Sequence, residues 1–67
     1  MVVTNEDLRN QRETFEMDFK RAMKEGQIYN VREASLRLAI PRWSIYRWAA
    51  ALGWKPSGTR HNYWEKS

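Results

Sequence analysis

The chain contains no cysteine. A disulfide framework, a Cys-ligated zinc finger and an iron–sulfur centre are thereby excluded. His61 is the only histidine, which also excludes a histidine cluster around a metal. No apolar run approaches the roughly 20 residues that a membrane span needs, and no signal-peptide core is visible at the N-terminus. The cytoplasm is the expected compartment, and no membrane partner is expected. A chain of 67 residues makes one small domain over 1–67. It hides only about 60% of its unfolded surface. That leaves no room for a deep cofactor cleft and a full catalytic site beside a core. No cofactor and no small-molecule substrate are expected. No nucleophile–base pair or metal set stands out, so an enzyme is the least supported class.

What is present is charge and aromatic bulk. Charged residues are 30% and hydrophobic ones 42%, the composition of a folded domain. Four tryptophans supply large burial per residue. The net charge of +4 is uneven. Residues 1–30 carry five basic and six acidic side chains, net −1; residues 31–67 carry seven and two, net +5. A basic half suggests a face for a polyanion, and ordinary surface arginine and lysine is the competing reading.

The pattern predicts an all-α domain of three helices, with a short β-hairpin or an irregular arm after them. The first helix is expected over 5–25. Thr4 or Asn5 can cap it, Glu6 and Asp7 suit its first turn, and Lys20, Arg21 and Lys24 suit its last. Leu8, Phe15, Phe19, Ala22 and Met23 form one apolar stripe, interrupted by Arg12. Gly26 is placed to stop the helix in a left-handed conformation. Residues 27–30 are a short connection. Asn30 caps the second helix, 31–38, with Glu33 at capping-box spacing. Pro41 suits the first position of the third helix, 41–52, and Gly53 ends it. Residues 54–67 hold turn chemistry at Lys55-Pro56-Ser57-Gly58 and a short aromatic run.

Two short helices joined by a tight turn are the helix-turn-helix signature. Ala34 and Ser35 are small where the helices cross, Leu38 closes the first helix and Ile40 plugs the turn. Ile45, Trp48, Ala49 and Leu52 share one buried face by their spacing. Trp43, Tyr46, Arg47 and Ala50 then fall on the opposite face, with Arg42 at its N-terminal edge. Arg42 and Arg47 can pair with guanine or phosphate, Tyr46 can meet phosphate or a thymine methyl, and Ser44 can touch the backbone. Arg32 belongs to the same basic half. Trp43 has two readings: a base or sugar contact, or an indole folded back onto Tyr63 or Trp64, with packing favoured. Trp48 is expected in the core, and Trp54 and Trp64 are expected to pin the C-terminal segment.

Residues 31–48, VREASLRLAIPRWSIYRW, resemble the helix-turn-helix of small bacterial and phage DNA-binding proteins and of transposase or Fis-type domains. Ala39 departs from them, since most members carry glycine in the turn, where φ is positive. Gly53-Trp54-Lys55-Pro56 followed by Gly58-Thr59-Arg60-His61-Asn62-Tyr63 is similar to the wing of excisionase-like domains. That similarity implies that Arg60, His61 and Asn62 contact the minor groove or the phosphates at its edge, with Lys55 a further DNA-binding candidate on the same segment. Together the resemblances imply a sequence-specific protein of double-stranded DNA, a transcriptional regulator or recombination accessory factor encoded by a phage or mobile element. Such proteins often form a homodimer to read two half-sites, though no dimer seam stands out. The competing class is a protein-interaction adaptor or inhibitor that uses exposed Trp43, Tyr46 and Trp54.

Overall fold

The computed structural model describes residues 4–67, so the first three residues of the expected unit lie outside it. The described residues form helix α1 (Asn5–Glu25), helix α2 (Val31–Leu38), helix α3 (Arg42–Ala51) and strands β1 (Trp54–Pro56) and β2 (Trp64–Lys66). The strands pair antiparallel, with Lys55 opposite Glu65 and Pro56 opposite Trp64. The C-terminal segment is therefore a hairpin, of the two forms the sequence left open.

Helix α1 starts at Thr4, whose Oγ1 accepts from the Asp7 amide at 3.1 Å. The Thr4 amide donates to Asp7 Oδ2 at 3.4 Å, which closes a reciprocal capping box. Phe15, Phe19 and Met23 bury at successive turns of one face. Leu8 shares their stripe but stays 47% exposed, because the core ends before that turn. Gly26 does not take the left-handed conformation: its φ is −168°, and Gln27 has φ 58° instead.

The link after α1 is more than a connection. The Gln27 carbonyl accepts from the Trp64 amide at 2.8 Å, and the Tyr29 amide donates to the Asn62 carbonyl at 2.8 Å. Ile28 and Tyr63 form a bridge between these bonds. Residues 27–29 are thus tied to the end of the hairpin through one isolated bridge, beside a sheet of two strands.

At the head of α2 the Glu33 amide donates to Asn30 Oδ1 at 3.1 Å. Only this half of the box forms. The Glu33 carboxylate lies 3.9 Å from Arg37 Nη1 instead. Ala39 takes φ 55° and ψ 44°, the conformation glycine would adopt without strain. The turn is tied by the Ile40 amide donating to the Ser35 carbonyl at 3.1 Å, and by Ser35 Oγ donating to the Ile40 carbonyl at 2.6 Å. Pro41 is the residue before α3 rather than its first, with ψ 144°. Helix α3 is accordingly one residue shorter at each end than expected. Gly53, at φ 89°, turns the chain into β1.

The core joins Phe15, Phe19, Met23, Tyr29, Val31, Ala34, Ile40, Ile45, Ala49 and Trp64. Trp64 comes from the last strand, is 1% exposed, and sets its ring edge-on to Phe19 at 5.2 Å. Its Nε1 donates to the Tyr29 carbonyl at 3.0 Å, so the buried indole leaves no unmet donor. An isolated two-stranded hairpin is marginal in water, and Trp64 supplies the missing anchor. Trp48, expected in the core, is only partly buried, as are Leu38, Leu52 and Trp54 packed around it.

Candidate functional site

Helix α3 has a depression on each side. The first holds about 650 Å³ and lies between the heads of α2 and α3 and the hairpin loop. Arg32, Arg42, Tyr46, Arg60, His61 and Asn62 line it, and no carboxylate does. Arg42 and Tyr46 meet there because residues four apart share a helix face. Arg32 arrives from the first turn of α2, and the last three from the loop between the strands.

Each of these positions has a local cause. Tyr46 lies over the buried Trp64, ring centroids 5.8 Å apart, and keeps 46% of its surface exposed. It is a platform seated on the core. In the loop, Ser57 Oγ accepts from the Thr59 and Arg60 amides at 3.2 and 3.1 Å. The Ser57 amide donates to the Tyr63 carbonyl at 2.7 Å. The Arg60 guanidinium sits 3.9 Å from the centroid of the Tyr63 ring, a cation–π contact that orients its charge. Asn62 has φ 60°, a left-handed conformation that asparagine tolerates better than most residues.

The remaining expected residues lie elsewhere. Trp43 and Arg47 turn toward α1 and line the second depression. Trp43 is 65% exposed and does not fold back onto Tyr63 or Trp64, because Tyr46 occupies the face of Trp64. Ser44 is 5% exposed on α3 and lines the same second depression. Lys55 is exposed on β1, across from Glu65, and lines neither depression. The sequence placed Ser57 in turn chemistry and Tyr63 in an aromatic run, but nothing local signalled that Tyr63 would carry Arg60 or that the two would close the loop.

A polar cluster fastens the hairpin side to α1 and α2. The Tyr29 hydroxyl donates to Asp18 Oδ2 at 2.8 Å, and Arg37 pairs with the same carboxylate. Arg21 reaches the other oxygen at 3.5 Å. Burial, and then the Asp18 hydrogen bond and charge, push the Tyr29 hydroxyl well above the ordinary tyrosine range, with Arg37 acting in the opposite direction. Tyr29 is therefore a proton donor fixed in place rather than a group that titrates near neutrality.

Comparison of the chain with known proteins finds no matching family model, no similar curated protein and no similar solved structure.

Proposed function

We propose that the chain binds double-stranded DNA, with α2 and α3 as a helix-turn-helix, α3 as the helix that enters the major groove, and the hairpin as a wing. The observation that carries this reading is the groove in which Arg32, Arg42 and Arg60 converge with no carboxylate among them. Three guanidinium groups along one concave surface suit a phosphate backbone, where each neutralised charge releases a counterion. The head of α3 adds to this. No side chain caps it and its first turn holds no acidic residue; the Ser44 amide donates to the Pro41 carbonyl, so the Arg42 and Trp43 amides and the positive dipole end are what it offers an anion. Arg42 and Tyr46, near that end, are the candidates for base edges. Asn62 and His61 on the loop can bond sugar or phosphate.

The hairpin favours the winged form of this reading, with a regulatory or recombination-accessory role as its biological expectation. We read the chain as a binding protein rather than an enzyme. The groove pairs its single histidine with no carboxylate, and the oxygen of its serine already accepts from two amides. The adaptor reading draws on the exposed indole of Trp43. It keeps Tyr46, 46% exposed, but loses Trp54 to the core edge.

The test is an anisotropy titration of mixed-sequence duplex DNA at low and at moderate salt. Binding that weakens steeply with salt is the expected result. No binding at low salt would remove the DNA reading and leave the adaptor.

A further inference from the structure

The N-terminal half of α1 poses a question the core does not answer. Of residues 5–14, only Gln11 is even half-buried. Ten helical residues extend about 15 Å, and the whole fold measures 39 × 18 × 18 Å. Short helical segments gain little stability without packing. Here the Thr4–Asp7 capping box keeps the overhang helical. A helix end held in shape without burial has some use other than the core.

Residues 5–14 carry two arginines and three carboxylates, and it is the arginines that turn toward α3. The second depression, about 510 Å³, is lined by Leu8, Arg9 and Arg12 of α1 and by Trp43, Arg47 and Trp48 of α3. Glu6, Asp7 and Glu13 lie on the same half of α1 but do not line it. Glu16, one turn on, pairs with Arg12 at 3.1 Å. Among the described residues Arg9 and Arg47 form no ion pair. Two unpaired guanidinium groups and a third paired one thus surround an exposed indole.

We propose that this overhang is a second phosphate-binding arm. Resting on the DNA reading above, it assigns Arg9, Arg12 and Arg47 to the strand across the major groove from the one held at the hairpin. A helix with side chains is about 10–12 Å across and the major groove about 12 Å wide. A helix lying in that groove therefore has one sugar–phosphate strand on each side. The hairpin groove and the α1 depression are separated by α3 in the same way. Trp43, beside Arg47, packs on the sugars of the second strand.

The experiment compares the salt dependence of binding to one mixed-sequence duplex for wild type, for Arg9→Gln with Arg12→Gln, and for Lys20→Gln with Lys24→Gln. Glutamine keeps the helix, which a circular dichroism melt verifies. Loss of two phosphate contacts should lower the slope of log K against log salt by about 1.8. The lysine variant removes the same charge from the other half of α1 and should keep the wild-type slope. An unchanged slope for the arginine variant, or an equal fall for the lysine variant, would overturn the arm while leaving the DNA reading intact. Absence of duplex binding by wild type would overturn both.

Discussion

On one flank of α3, Arg42 and Tyr46 face a hairpin anchored in the core through Trp64. On the other, Trp43 and Arg47 face a helix end that buries almost nothing. The two pairs sit one residue apart in sequence, about 100° around the helix. Yet the first surface is closed by a hairpin anchored in the core and the second by the exposed end of α1. The difference teaches where binding and stability are coupled. On the hairpin flank the platform under the candidate binding residues is itself a core residue. On the α1 flank it is not.

The largest effect that would expose this difference is on folding. Trp64→Ala should cost about 3–5 kcal/mol, enough to unfold so small a domain. Trp43→Ala should stay within about 0.5 kcal/mol of wild type, as an exposed position does. Thermal melts of the two variants measure this. Similar melting temperatures would erase the contrast between the flanks.

Next in size is the effect on binding. Arg42→Ala with Arg60→Ala should lower the salt slope for duplex by about 1.8 without moving the melt. Arg47→Ala should weaken binding by a single contact's worth, a slope change of about 0.9. Salt titrations of both variants give the ranking, and slopes equal to that of wild type would show that neither flank touches phosphate.

Smaller still is the alkaline effect of the cluster that fastens the hairpin side. The Tyr29 hydroxyl is raised above its ordinary value of about 10. Its contribution is therefore fully present below that pH and is lost as pH climbs through the folded-state value. Tyr29→Phe should lose about 1 kcal/mol at pH 8. That gap should narrow above pH ~10, where wild type alone pays for keeping Tyr29 protonated. Urea midpoints at the two pH values read this, and a constant gap would show that burial and Asp18 do not raise the Tyr29 hydroxyl.

The smallest change is at the turn on which both flanks depend. Ala39→Gly removes a left-handed alanine and should raise stability by about 0.5–1 kcal/mol. A lower melting temperature would mean that chain entropy outweighs the relief of strain.

The sequence made the helices legible because their ends carry chemistry: a threonine and an asparagine that cap, a proline before α3, a glycine after it. The glycine of the resembling turns pointed to a positive φ at position 39, but that alanine would take it rather than reshape the turn was not legible. Apolar spacing says which face of α1 is buried but not how far along it the core reaches, so Leu8 was placed inside. It could not say whether Trp43 or Tyr46 meets Trp64, because that depends on where a hairpin from the end of the chain lands. The pairing of 27–29 with 62–64 is equally long-range. Arg12 read as an interruption of an apolar stripe, and only the geometry set it beside Arg9 and Arg47.

The most direct measurement is an amide chemical-shift map of the labelled protein titrated with duplex DNA. The account expects the largest shifts at Arg32, at the head of α3 and in the loop around Arg60, with a second set at Arg9 and Arg12. Shifts confined to exposed residues outside both depressions, such as Met17 on α1 and Leu36 on α2, or none at low salt, would contradict it.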